Sequence, residues 1–389
     1  MPSSRKVAFL TTHPVQYQAP LLRRLSEEPD IDLTVFYASD VTIRNHVDPG
    51  FGRAIAWDVP LLEGYRSEFL PSWGATDDIT LLRPFSRGLR QRLREGAFDT
   101  LAIHCYSRPQ HWFAAATAKA LGLRVLFRDE ATEISKRRGG TKRVLKRAFF
   151  RTLDRMTDGW LAIGTLNAAY YRAQGIPDAK IFMTPYAVDN AFFRSGAPGA
   201  GPRMRAELGI PGGAPVILYA SKLQRRKHAD HLLAAFARLP ALPEPPHLVV
   251  VGDGELMPEL RAAAADVANV HFLGFRGQRE LPAFYAMCDV FVLPSSFETW
   301  GLVVNEAMNL GKAIVVSDQV GAGHDLVRHG ENGFVFPVGD VTALARALET
   351  LCRDPALAAA MGRRSLEMVS VWDYEADVRG FRQALGLAA

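Results

Sequence analysis

The chain predicts two parallel α/β domains in series, on three observations. Short β-branched and apolar runs alternate with helical patterns from end to end. One low-complexity break interrupts that alternation, and 389 residues exceed what a single hydrophobic core usually serves. With 48% hydrophobic and 22% charged residues, the composition is that of a folded globular protein and excludes disorder.

In the first half the runs predict strands at 6–10, 32–37, 99–103, 124–128, 159–163 and 180–184, with helices such as 110–121 and 165–174 between them. Residues 38–80, rich in Gly, Pro and aromatics, predict an irregular excursion above the sheet. The break is Ser195-Gly196-Ala197-Pro198-Gly199-Ala200-Gly201-Pro202, a composition that suits a linker. Beyond it strands are predicted at 216–219, 247–251, 270–273, 290–293 and 313–317. The expected division is therefore 1–192, a linker at 193–213, a second domain at 214–371, and 372–389 with a last helix near 374–385. That helix has a choice of two domains to pack on. Two such sheets facing each other would gather their strand C-termini around one cleft, where this architecture binds ligands.

The net charge of +5 is modest, and no nucleic-acid partner is expected. Its distribution is uneven: Lys136, Arg137, Arg138, Lys142, Arg143, Lys146, Arg147 and Arg151 fall in one stretch. There Val144, Leu145, Ala148, Phe149, Leu153 and Met156 recur at helical spacing, with Arg143, Arg147 and Arg151 stacked on another face. The helix is either an ordinary one with a solvated side or a contact with anionic lipid. Cys105, Cys288 and Cys352, odd in number and far apart, fit neither a disulfide framework nor a CxxC metal site. The apolar run from Val7 to Leu10 is too short for a signal-peptide core, and no stretch of about 18 apolar residues occurs. A cytoplasmic protein is expected, at most at the inner face of the membrane. No His/Asp/Cys cluster has metal-ligand spacing, so no metal is expected.

The strongest chemical signal follows strand 290–293. It runs Pro294-Ser295-Ser296-Phe297-Glu298-Thr299-Trp300-Gly301 and continues from Leu302 to Gly311. This is a strand, a tight loop with a glycine, and a helix opening near Gly301, whose free N–H groups and dipole suit a diphosphate. Glu298 and Glu306 flank that helix start. Carboxylates are poor ligands for phosphate and good acceptors for hydroxyl donors, so the pairing points to a nucleotide-sugar rather than a plain nucleotide.

The Glu-x7-Glu spacing resembles glycosyltransferase family 4, of the GT-B fold with two facing Rossmann-like domains. The segments from Ser317 to Asp325 and from Asn332 to Phe336 resemble it too. The resemblance implies a retaining, metal-independent transfer from a UDP- or GDP-linked sugar to a glycan, lipid-linked or small-molecule acceptor, with no cofactor. Phosphorylase and nucleotide-sugar epimerase of the same fold are the alternatives. It places Glu298 on the donor sugar and Glu306 on the ribose. Tyr219-Ala220-Ser221-Lys222-Leu223-Gln224-Arg225-Arg226-Lys227-His228 resembles the family's G-R-L-x-x-x-K-G, with Lys222 where Arg is usual. Lys222 and Lys227 then neutralise the diphosphate, which metal-free departure requires, and Arg225 and Arg226 are solvated. Val251-Gly252-Asp253-Gly254-Glu255 lacks the third glycine of a dinucleotide fingerprint. By resemblance Gly252 lines the donor cleft, Phe275 and Arg276 stand where backbone atoms read the base, and Gly301 and Leu302 meet the phosphates.

On the N-terminal side, Thr11 to Pro20 contains no glycine where the family has a Gly-rich loop. His13, Gln16 or Gln18 reaches donor or acceptor instead, or His13 packs the loop. His104 follows strand 99–103, where many members carry a His, and either meets ligand or is a core histidine. Arg128 stands near a catalytic-region His of several members. It is expected to bind phosphate or an acidic acceptor with Asp129 or Glu130 as its ion-pair partner, and Glu130 is itself an acceptor candidate. His111 is expected to be structural.

Overall fold

The computed structural model describes residues 4–388 apart from 45, 49, 51, 52, 56, 74, 75, 77, 78, 136–139 and 197. It divides into two units, one of Met1–His46, Ile55–Tyr186 and Tyr374–Ala389, the other of Val47–Ala54 and Ala187–Asp373.

The first unit is built on seven parallel strands in the spatial order Ile181–Met183, Gly159–Ala162, Arg124–Asp129, Thr100–His104, Arg5–Thr11, Ile31–Tyr37 and Arg66–Phe69. The central strands are apolar runs buried on both faces, as helices on either side require. One layer packs Leu10, Ile103, Phe127, Phe150 and Trp160; the other packs Val7, Phe9, Val35 and Leu161. Arg66–Phe69 was not expected: its Arg-Ser-Glu-Phe sequence carries no strand pattern, and it pairs only at the sheet's edge. The excursion thus returns to the sheet once, and then Ser72–Trp73 pairs antiparallel with Phe85–Ser86.

The second unit has six parallel strands in the order Val270–Gly274, His247–Val251, Val216–Ala220, Val290–Leu293, Ala313–Ser317 and Gly333–Phe336. Five lie where the sequence predicts them, and Gly333–Phe336 extends the sheet. In both sheets the strand order reverses beside the first strand. That creates a crevice at the C-terminal ends of Arg5–Thr11 and Thr100–His104 in one unit, and of Val216–Ala220 and Val290–Leu293 in the other.

Two expectations are corrected. The segment read as linker carries helices Asn190–Ser195 and Ala200–Glu207, and the division falls after Tyr186. Gly201 is there for close packing: a Cβ on it would stand 2.8 Å from the Ala286 carbonyl oxygen of helix Leu281–Met287. The last helix, Tyr374–Leu385, is not a separate segment but part of the first unit. Its Val378, Phe381, Ala384 and Leu385 complete the layer around Val7 and Phe9. At Gly380 a Cβ would collide with the carbonyl of Met183. Among the described residues no helix is long and apolar enough to cross a membrane.

Candidate active site

At the crevice of the second unit, the loop after Val290–Leu293 is fixed by backbone pairing. Glu298 N–H donates to Gln319 O at 3.1 Å, Gly321 N–H to Glu298 O at 3.0 Å and Ala322 N–H to Trp300 O at 2.8 Å. Gly301, at φ 101°, then turns the chain into helix Leu302–Asn309, a backbone angle that a side chain would strain. Gly301 brings no side chain to cap that helix, and a helix start of this kind suits an anion. Trp300 Nε1 donates to Asn305 Oδ1 at 2.9 Å and locks the turn.

Lys227 ends the short turn Arg225–Lys227 and is buried, with its ammonium against Glu298 Oε2. Burial pulls its pKa below the ordinary lysine value, Glu298 opposes this, and Arg226 and Lys222 add to it. Lys222 therefore lies close enough for its charge to be felt. Arg225 is instead tied to Glu259 at 2.8 Å, while Arg226 donates to Phe297 O at 2.9 Å and stands 3.7 Å from Glu298. Gly252 does not present open backbone to a ligand: a Cβ on it would collide with Ser221 O, so its bareness lets the two loops touch. Phe275 and Arg276 follow Val270–Gly274 half-buried, Arg276 pairing with Glu280 at 3.2 Å. Glu306 is buried one turn inside the helix and accepts from Tyr285 Oη at 2.5 Å. Burial pushes its pKa up to about 7, with the Tyr285 hydroxyl opposing.

The crevice of the first unit gathers His13, His104, Arg128 and Glu130. His104 and Arg128 face each other across paired strands. Burial, with the charges of Arg128 and His13, lowers the His104 pKa to about 3, so the imidazole is neutral at physiological pH. Its buried Nδ1 has no hydrogen-bond partner among the described residues, and neither has Gln16 Oε1. Glu130 accepts from Tyr17 Oη at 3.1 Å and Tyr186 Oη at 2.5 Å. Arg128 is corrected: its partner is neither Asp129 nor Glu130. Its Nη2 meets Asp377 Oδ2 of the last helix at 2.6 Å and Thr184 O at 3.2 Å, with both charged groups buried. Burial works against the guanidinium, and Asp377 together with Tyr186 and Tyr17 outweighs it, holding the group above the ordinary arginine value. Asp129 accepts from Ala131 N–H at 2.7 Å. His111 is buried in helix Pro109–Ala120.

Residues 202–368 match the family model described as Glycosyl transferases group 1, and they span nearly all of the second unit. The second unit thus resembles group 1 glycosyl transferases, over less than half of the chain. Its relatives include the lipopolysaccharide core biosynthesis glycosyltransferase LpsE of Rhizobium meliloti (strain 1021), 34% identical over 185 residues, 46% of this chain and 52% of that protein. A GDP-mannose-dependent alpha-(1-6)-phosphatidylinositol monomannoside mannosyltransferase of Mycobacterium tuberculosis (strain ATCC 25618 / H37Rv) is 28% identical over 284 residues, 67% of this chain and 72% of that one. The chain spans about half the length of most curated relatives it matches. Among solved structures, Anabaena Alr3699/HepE in complex with UDP superposes with a TM-score of 0.76 at 18% identity, covering 98% of this chain and 99% of that one. The architecture is thus the GT-B fold of glycosyltransferases.

Beside Lys227 of the second unit, the expectation that no cluster has metal-ligand spacing is corrected. His228, Asp230 and His231 bring ligand atoms within 4.8 Å of one another, with the two rings stacked at 4.2 Å. The chain also holds an Asp-x-Asp triplet, Asp30-Ile31-Asp32, but it opens strand Ile31–Tyr37 at the edge away from the crevice. Its carboxylates pair with Arg382 and Arg66. Lys136, Arg137 and Arg138 lie outside the described residues. Helix Gly140–Asp154 turns Phe150 and Leu153 inward and leaves Val144 and Leu145 exposed, where the periodicity had placed those two on the apolar face. Tyr17, Tyr186 and Tyr285 escape the sequence reading. Only Tyr17 had a signal there, since it sits within the glycine-free loop.

Proposed function

We propose that the chain is a family 4-type retaining glycosyltransferase, taking a hexosyl group from a UDP- or GDP-sugar without a metal. Glu298 contacts the donor sugar, Glu306 the ribose, and Lys227, Lys222 and the N–H groups at Gly301 and Leu302 carry the diphosphate. Phe275 and Arg276 border the base, and His13, Gln16, His104 and Glu130 serve the acceptor side. The observation that carries this reading is the buried Lys227 ammonium held against Glu298, just before the glycine that opens helix Leu302–Asn309. As the glycosidic bond breaks, charge grows on the departing phosphate, and a fixed cation with aimed N–H dipoles stabilises it more than the ground state. A neutral His104 is suited to accept a proton or a hydrogen bond from an attacking hydroxyl. The relatives' lipid and lipopolysaccharide names support a glycan or lipid-linked acceptor. The exposed Val144 and Leu145 among Lys142, Arg143 and Arg147 support a peripheral contact of residues 142–151 with anionic lipid on the cytoplasmic side.

The test is turnover of nucleotide-sugars by wild type and by Lys227→Ala, Arg225→Ala and Arg226→Ala, with and without EDTA, with the product anomer read by NMR. Lys227→Ala should lose about 30- to 1,000-fold in rate, on the order of 2–4 kcal/mol at the transition state. Arg225→Ala, whose guanidinium is held by Glu259, should stay near wild type. Equal small effects across the three end the phosphate assignment. An inverted product or loss of turnover in EDTA ends the mechanism.

A further inference from the structure

A second concave surface lies in the first unit, lined by residues that the candidate site does not use. Trp73, Phe85, Phe113, Arg87, Arg90 and Arg94 line a groove of about 790 Å3, within the size range of ligand sites. Its rings form a ladder. Trp73 and Phe85 stack with centroids 6.2 Å apart and planes 24° apart, Phe113 follows at 5.8 Å from Phe85, and the Arg87 guanidinium lies 5.5 Å from the Trp73 ring centre. Trp73 is 61% and Phe113 59% exposed, an unusual cost for large aromatics unless something covers them.

The charges are as uneven as the apolar surface. Arg90 and Arg94 stand one turn apart on helix Leu89–Glu95, whose Leu89 and Leu93 face inward. Among the described residues no carboxylate pairs with Arg87, Arg90 or Arg94, whereas neighbouring Arg92 is taken by Glu68 and Glu95. Glu95, the one acid among the described residues of the groove's wall, is further engaged by Gln91 at 2.7 Å. Three guanidinium groups that no described carboxylate pairs, beside flat ring faces, form a receptor for anions attached to rings. The groove is also placed for it: Phe113 rides on the helix that follows strand Thr100–His104, and Gln110 of that helix accepts from Ser86 N–H at 3.2 Å.

We propose that this groove is the acceptor subsite and that it takes an acidic glycan. The faces of its sugar rings lie on Trp73 and Phe113, and its phosphate or carboxylate groups lie on Arg87, Arg90 and Arg94. This rests on the glycosyltransferase reading. Rings stacked along a concave wall offer flat faces to sugar rings rather than a protruding wedge to acyl chains.

The experiment is calorimetric titration of the full chain with trigalacturonate, a phosphorylated mannotriose, and the neutral galactotriose and mannotriose. Wild type should bind at least one acidic probe about tenfold more tightly than its neutral counterpart, with the preference falling as salt rises. The Arg90→Gln/Arg94→Gln protein should lose that preference, and Trp73→Ala should weaken acidic and neutral probes alike. The two acidic arms tell carboxylate from phosphate. No preference in either arm overturns the proposal, as does a preference that survives the double substitution. Binding to phosphatidylglycerol vesicles that depends on these residues, with no glycan bound, likewise overturns it in favour of a lipid contact. Melting shifts with UDP and GDP on the same samples keep the two readings apart. Nucleotide stabilisation without glycan preference fails the groove alone, and glycan preference without any nucleotide binding fails the transferase reading.

Discussion

Lys227 and Glu298 hold each other in a site proposed to bind a diphosphate and a sugar. The carboxylate therefore occupies the place where phosphate oxygens would lie, and it must give up the ammonium when a donor enters. Glu298→Gln removes that competitor while keeping the shape. A nucleoside diphosphate without sugar should then bind on the order of tenfold more tightly, ~1.4 kcal/mol, while turnover of the sugar-linked donor falls. Titration of UDP or GDP into the variant checks this, and unchanged or weaker binding refutes it. Glu306 supplies a second residue-scale test. Its native pKa of about 7 lies above the ordinary 4.5, so the folded protein keeps a proton that the unfolded chain releases. The site's stabilising contribution is complete below about pH 4.5 and declines as pH rises toward about 7, by on the order of 3 kcal/mol. Glu306→Gln should match wild type near pH 5 and become the more stable protein by pH 8. A constant offset in melting temperature across that range would show that the carboxyl is not raised.

Elements were legible where one local signal determines one environment. Val216–Ala220 and Ala313–Ser317 are buried at every position, so their apolar runs state their role outright. Arg66–Phe69 needs only its backbone to pair at an edge, which leaves no pattern in its side chains. The Gly- and Pro-rich break misled because glycine serves close contact as well as flexibility, and Gly201 is of the first kind. Helix Gly140–Asp154 has apolar residues around more of its circumference than its neighbours cover, and the core took the aromatic part. Lys227 meets Glu298, Glu306 turns to Tyr285, and Arg128 did not follow its motif position because its counter-charge lies 249 residues away. That pair carries the element-scale prediction. Asp377→Ala leaves a buried guanidinium unpaired and should lower the first unit's stability by about 3–5 kcal/mol. The combined Arg128→Met/Asp377→Leu protein should recover most of the loss in urea unfolding. A single variant no less stable than wild type would show that the pair does not anchor the last helix.

Across the whole molecule, the division that composition suggests and the division that packing makes differ at one place of consequence. The stripe of Val378, Phe381, Ala384 and Leu385 announces that the last helix buries a face, but nothing local says against what. The answer is a layer nucleated by Val7, Phe9 and Val35 at the other end of the chain. Loop closure over that span grows only slowly with length, so the arrangement is thermodynamically cheap and yet invisible to any window of sequence.

The return of that helix sets an order of events on the ribosome. The second unit ends at Asp373, ahead of the last helix, so its parts are all made before that helix emerges. The first unit's strands emerge earlier, but Val7, Phe9, Leu126 and Leu161 wait for Phe381, and Arg128 waits for Asp377, until the helix Tyr374–Leu385 has emerged. Through that interval an apolar sheet face is open to chaperones and to other nascent chains. Of the two units, the one whose translation begins first is completed second.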